Sequence, residues 1–160
     1  MSEAYHGVHV LEPNKKIHIK GFTVQPLPMT HNVECYGFII QHQEFGKIVF
    51  ATDTNSFPYK IKGINHFILE ENYSNDILEK NALNDVEMKS RHEQHLELQS
   101  TLEALKLNYT ASLQNVVLLH LSQTNGNPKQ FKSKIIKELC HNSVYIAKKG
   151  LYLSLEKTEF

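Results

Sequence analysis

Three short apolar runs in this chain each deliver a polar residue at or just beyond their ends: His31 in LPMTHNVECYGF, Asp53 in KIVFATDTNSF and His120 in NVVLLHLSQTN. KIVFA and NVVLL are too short and too β-branched for helices and read as buried strands. Neutral imidazole nitrogen and carboxylate oxygen both suit a divalent ion of borderline softness, and strand ends hold such ligands rigidly while the loops beyond admit a substrate. The triplet therefore predicts a strand-rich fold with a metal site at strand ends. A catalytic zinc takes three protein ligands plus a water, and a pair of ions needs more than three residues supply, so the triplet is a partial set.

At 160 residues the chain is long enough for one domain that buries roughly two thirds of its unfolded surface. Lys+Arg and Asp+Glu balance at 17 each, which excludes a global field directed at nucleic acid or an acidic membrane; any nucleic-acid contact is local. Ten histidines stand against three aspartates, Asp53, Asp76 and Asp85, so the place of Asp53 carries weight. Cys35 and Cys140 lie far apart without a CxxC pair, which excludes a disulfide framework or zinc ribbon and predicts a reducing, cytoplasmic setting. MSEAYHGVHVLEPNKK has no apolar core behind a basic start, and no run is long enough to span a bilayer, so the expectation is a soluble protein with no membrane partner.

Strands are expected first, over residues 17–19, 22–25, 36–41, 47–51 and 66–69, with turn signals at Gly21, Gly46 and Gly63. Gln41 to Lys47 reads as the turn of an antiparallel hairpin. From Asn75 to Arg91 the chain is polar with scattered leucines, predicting short helices or an excursion loop. Leu98, Leu102 and Leu105 mark an amphipathic helix over 96–107 packed on the sheet. After a strand over 116–120, Asn127 as N-cap and Pro128 at the first helical position open a second helix whose apolar face is Phe131, Ile135, Ile136 and Leu139. Strands over 143–147 and 151–155 close the chain around Gly150.

With these residues in this order, the chain resembles the C-terminal two thirds of a metallo-β-lactamase-fold hydrolase of the nuclease-like branch, related to ribonuclease Z and bacterial exonuclease-like members. The match rests on His31 ahead of Gly37-Phe38, on the strand ending Ala51-Thr52-Asp53-Thr54, and on the strand ending Leu119-His120-Leu121-Ser122. The resemblance implies that His31 binds one metal ion, His120 a second, and Asp53 bridges both, with Zn2+ or Mn2+ as the ions, a clamp suited to a phosphodiester oxygen. It further matches Glu70 in FILEENY to the glutamate ending the next strand and His95 to the histidine opening the following helix. That pair is implied to deliver a proton to the leaving oxygen, so the implied catalytic set is Glu70, His95 and Asp53. Glu97 departs from the pattern, because relatives often carry a helix-capping serine there.

The family's His-x-His-x-Asp-His string is absent from these 160 residues; His6-Gly-Val-His9 and His92-Glu-Gln-His95 do not match it. The expected fold class is therefore α/β, a single incomplete domain over 1–160: a partial metallo-β-lactamase-like αββα sandwich with a mostly antiparallel or mixed sheet, flanking helices, and an apolar sheet face or edge where the rest would dock. The expected function is a metal-dependent hydrolase of phosphodiesterase or nuclease type, inactive alone, partnered by a complementary N-terminal fragment or by another copy and acting on nucleic acid or another phosphodiester. The alternative is a non-catalytic remnant or binding module that keeps the fold, with a lactonase or other ester hydrolase behind both. Taken singly, His31 or His120 reads as an ordinary polar residue, and the ordered set reverses that; Asp53 reads as a turn acid in DTNS or as a site residue, and the apolar strand KIVFA before it favours the site. Cys35 reads as a buried free thiol, and Lys129, Lys132, Lys134 and Lys137 as a solvated helix face.

Overall fold

The computed structural model describes residues 10–81 and 93–157. Seven strands form one sheet in chain order: β1 (Ile17–Ile19), β2 (Phe22–Met29), β3 (Cys35–His42), β4 (Gly46–Ala51), β5 (His66–Glu70), β6 (Asn115–Leu119) and β7 (Val144–Ile146). Helix α1 (Asn75–Asn81) and helix α2 (Leu98–Asn108) lie between β5 and β6, and α3 (Pro128–Leu139) lies between β6 and β7. The sheet is mixed. Pairs β1–β2, β2–β3 and β3–β4 are antiparallel and joined by short turns, whereas β4–β5, β5–β6 and β6–β7 are parallel, which requires the longer crossovers that carry α2 and α3.

One face of the sheet builds the core. Leu27, Val49, Phe67, Val116 and Val144 meet Leu98, Leu102 and Leu105 of α2 and Phe131, Ile135 and Leu139 of α3 in a single buried cluster, with Ile136 packed against it. The expected apolar faces of both helices are the ones buried. Asn127 caps α3 by accepting the Gln130 N–H at 3.1 Å, ahead of Pro128 in the first turn. Lys129 and Lys137 are exposed, and Lys132 stands 5.8 Å from the centre of the Tyr145 ring. On the opposite face, register aligns Pro26, Phe38, Phe50, Ile68, Val117 and Tyr145 into a continuous row across six strands.

Two expectations need correction, and others are refined. β2 continues past Gln25 to Met29, through Pro26 and Pro28. β1 reaches only as far as Val24, so both prolines lie at an open edge where no partner asks for the N–H that proline lacks. Their outward carbonyls are used instead, Pro26 accepting from Asn14 N–H at 2.9 Å and Pro28 from the Tyr59 hydroxyl at 2.5 Å. Residues 151–155 form no strand. After β7 the Ala147 N–H donates to Leu118, the chain turns with Leu151 N–H on the Lys148 carbonyl, and Lys157 N–H reaches Glu44 at 2.7 Å. This segment passes His66, which is fully buried and whose ring meets backbone of Phe45 and Leu155. Of the stretch from Asn75 to Arg91, Asn75–Asn81 is helical and the remainder lies outside the described residues.

Because the Asn127 cap satisfies a helix N–H that has no other acceptor, Asn127→Ala is expected to lower unfolding stability in urea by about 1 kcal/mol, and Asn127→Gly by only a few tenths.

Candidate metal centre

Parallel pairing brings the C-terminal ends of three neighbouring strands level, Ala51 beside Leu69 and Glu70 beside Leu119. Just beyond β4 and β6 the backbone enters the left-handed region, at φ 52° for Asp53 and φ 59° for His120. An L-residue held there costs about 1–2 kcal/mol, so both kinks are maintained by their surroundings. Thr54, fully buried, donates from its N–H to Glu70 Oε2 at 3.0 Å and from Oγ1 to the Ser56 carbonyl at 2.8 Å, while accepting Thr30 N–H at 3.2 Å. Asn72 holds the His120 turn, its side-chain amide donating to the His120 carbonyl at 2.6 Å and its own carbonyl accepting Ser122 N–H at 2.8 Å.

His95 arrives from a distant part of the chain. Asn72 N–H bonds the Leu96 carbonyl at 3.0 Å and Leu98 N–H bonds the Tyr73 carbonyl at 2.9 Å, so the entrance to α2 runs beside the segment leaving β5. Glu97 is the N-cap of α2, accepting Gln99 N–H at 2.5 Å and also Asn75 N–H at 3.2 Å. The departure from serine thus keeps the capping function with a longer side chain that ties α1 to α2.

At the centre stands Glu70, with no exposed side-chain surface. Its Oε1 accepts His95 Nδ1–H at 2.7 Å and His120 Nδ1–H at 2.9 Å, and its Oε2 accepts the Thr54 N–H. His31 donates from Nδ1 to the Gln94 carbonyl at 3.2 Å. Carboxylate and carbonyl oxygens accept and do not donate, so all three imidazoles carry a proton on Nδ1 and keep Nε2 clear of these acceptors, the arrangement by which a supporting acceptor orients a histidine for a metal. Asp53, His95 and His120 each offer a ligand atom within 4.8 Å of the others. Exposure rises outward from the buried Glu70 to His95 at 22%, Asp53 at 39% and His120 at 45%. This set of one carboxylate and two imidazoles fits a single divalent ion.

Of the residues named from sequence, Asp53, Glu70, His95 and His120 converge. His31 stands beside His95, ring centres 5.4 Å apart, outside the group of three whose donor atoms lie within 4.8 Å of one another. Cys35 is half-buried rather than buried; its thiol donates to the Thr52 carbonyl at 3.7 Å, and burial followed by the nearby Asp53 charge pushes its pKa up. Sequence reasoning missed Thr54, Asn72 and the Gln94 carbonyl, whose roles rest on hydrogen bonds to groups distant in the chain that no local pattern announces. It also gave Glu71 no role. Glu71 is fully buried, neither of its carboxyl oxygens has a hydrogen-bond partner among the described residues, and burial, then the charges of Glu97 and Glu70, push its pKa up to about 9.

Two outcomes follow. Glu70→Ala leaves Thr54 N–H and two imidazoles without their acceptor and is expected to lower stability by about 3–5 kcal/mol in urea unfolding; in the wild type, imidazole 15N shifts should report the Nδ1–H tautomer for His31, His95 and His120. Glu71 is neutral in the fold up to about pH 9 but ionises from 4.5 in the unfolded chain. Stability is therefore full below 4.5 and falls as pH rises toward 9. Glu71→Gln should flatten that slope and raise stability at pH 7.5 by roughly 1–4 kcal/mol, as read from Tm against pH.

No protein-family model and no curated protein matches the sequence. Solved structures do resemble the fold. The metallo-β-lactamase fold protein YhfI from Bacillus subtilis has 20% identity and a TM-score of 0.66, covering 88% of this chain and 52% of its own. The short form of human tRNase Z has 16% identity and a TM-score of 0.57, with 87% and 45% covered. An isothiocyanate hydrolase from Delia radicum gut bacteria has 13% identity and a TM-score of 0.62, with 92% and 60% covered. At these identities the likeness is one of fold: the chain carries metallo-β-lactamase-fold architecture over most of its length and spans about half the length of the structures it resembles.

Proposed function

We propose that this chain is the C-terminal portion of a metal-dependent hydrolase of phosphodiesterase or nuclease type, assembled with a complementary N-terminal segment. The observation that carries the reading is the convergence of Asp53, His95 and His120 on one buried carboxylate, Glu70, at the level ends of three parallel strands. Human tRNase Z is among the structures that share the fold, and the apolar row from Pro26 to Tyr145 offers a face for the complementary segment.

In this reading a bound Zn2+ or Mn2+ supplies Lewis acidity toward a phosphoryl oxygen. Asp53, His31 and His120 would hold two such ions once the complementary segment adds its ligands. Glu70 orients the His95 ring through Nδ1, which leaves Nε2 as the atom that would take up a proton from water and return it to the leaving oxygen. Thr54 and Asn72 hold the two left-handed turns and so keep Asp53 and His120 in place.

By calorimetry the isolated chain is expected to take up about one Zn2+ ion weakly, because Asp53, His95 and His120 supply one set of donors. Supplying a fragment that carries His-x-His-x-Asp-His should raise both affinity and stoichiometry, since ligands and apolar interface arrive together. That complex should hydrolyse bis(p-nitrophenyl) phosphate with added Mn2+ or Zn2+, whereas the isolated chain stays at background and Asp53→Ala abolishes the activity of the complex. His31→Ala is expected to weaken metal binding by the complex, and His95→Ala to lower kcat of the complex and to weaken single-ion uptake by the isolated chain. Chelator-sensitive turnover by the unaided chain would overturn the need for a complement; inactivity of every complemented form would favour a binding module that keeps the fold.

A further inference from the structure

The helix-bearing face of the sheet is not covered evenly. Helices α2 and α3 pack with β4 to β7, while over β2 and β3 a cavity of about 350 Å³ opens between the strands and the segment around Tyr59. Three lysines reach it from three separate places: Lys16 before β1, Lys47 at the start of β4, and Lys60 in the loop leading to β5. Among the described residues, no carboxylate lines it. Lys15 and Lys106, by contrast, are paired with Glu12 and Glu138. Lys47 donates to the Lys62 carbonyl at 2.5 Å, which fixes its ammonium and leaves further N–H groups to offer. Burial and then the neighbouring Lys16 charge lower the Lys47 pKa, as expected of two ammonium groups brought together without a counter-charge.

The floor of the cavity is of another character. Leu27 and Ile39 supply apolar surface, and Tyr59 is held upright by its hydroxyl on the Pro28 carbonyl and by edge contact with Phe57, ring centres 5.5 Å apart. A bare inorganic anion has no use for such a floor, and the volume lies in the range of small-molecule sites. An anionic group on the lysines joined to an organic body on the floor satisfies both halves. The site is separate from the metal centre: Lys47 precedes Ala51 by four strand residues, about 13 Å toward the other end of β4.

We propose that this pocket binds a nucleotide, its phosphate held by Lys16, Lys47 and Lys60 and its organic part resting on Leu27, Ile39 and Tyr59. The proposal is independent of the metal chemistry above, because no metal ligand lines the pocket. The same chemistry can come from a free nucleotide or from one within a single strand, and the probes separate these.

The test is calorimetry with 15N-resolved shift mapping on the full chain, in EDTA so that the metal centre plays no part, using AMP, adenosine and the oligonucleotide (dT)8. AMP should bind saturably and shift the amides of Thr23, Gln41 and Lys47, and adenosine should not bind. Lys16→Gln with Lys60→Gln, both at exposed positions, should raise Kd about tenfold or more with Tm unchanged, and Lys47→Gln should do the same. Tighter binding of (dT)8 with the same lysine dependence would support the strand as source; binding of AMP alone would support the free nucleotide. The proposal is overturned if AMP and (dT)8 leave those amides unshifted, or if Lys132→Gln with Lys134→Gln on α3 weakens binding as much as the pocket variants, since that would reduce the effect to general charge.

Discussion

The interaction on which the site depends is the set of three hydrogen bonds accepted by Glu70. A buried carboxylate without partners is among the most unfavourable groups a core can hold. Here its oxygens accept from Thr54, His95 and His120, three groups remote from one another in the chain. Satisfying one charge therefore gathers the loop after β4, the entrance to α2 and the turn after β6. Glu71, the next residue, shows the other way a buried acid persists: with no partner among the described residues it stays neutral across the ordinary pH range.

The sheet makes that gathering possible by changing direction of pairing at β4. In its antiparallel half, successive strand ends alternate between the two edges, whereas the parallel run β4–β5–β6 sets the ends of all three strands on one edge. Open parallel sheets place their ligand sites at such carboxyl ends for this reason. The left-handed turns at Asp53 and His120 then point two ligand-bearing residues across the same opening, with strain offset by the bonds of Thr54 and Asn72. Positioning through backbone and second-line hydrogen bonds lets Asp53 and His120 remain partly exposed, as groups that meet an ion or substrate from solvent must be.

The same asymmetry of cover explains the rest of the surface. Because α2 and α3 come from the parallel crossovers, they pack over the parallel half and cover β2 and β3 less fully on that face, where the lysine-walled cavity sits. The other face is left with its row of apolar residues from Pro26 to Tyr145.

Much of the local architecture is written in short-range patterns, and for physical reasons. The period of Leu98, Leu102 and Leu105, the Asn127-Pro128 helix start and the β-branched run before His120 act within a few residues of themselves, so they can be read without knowing what lies across the fold. The same holds for the presence of Asp53, Glu70, His95 and His120 at element ends. Where a neighbour elsewhere in the chain decides, the pattern misleads. Pro26 and Pro28 argue against strand until β1 is seen to stop at Val24, and the alternation in 151–155 argues for a strand that its tertiary setting does not provide. That His95 gathers its donor atom with those of Asp53 and His120 while His31 stands just outside the group was decided by tertiary structure alone, because it depends on which imidazoles reach one buried carboxylate and on two backbone turns that only long-range hydrogen bonds can hold.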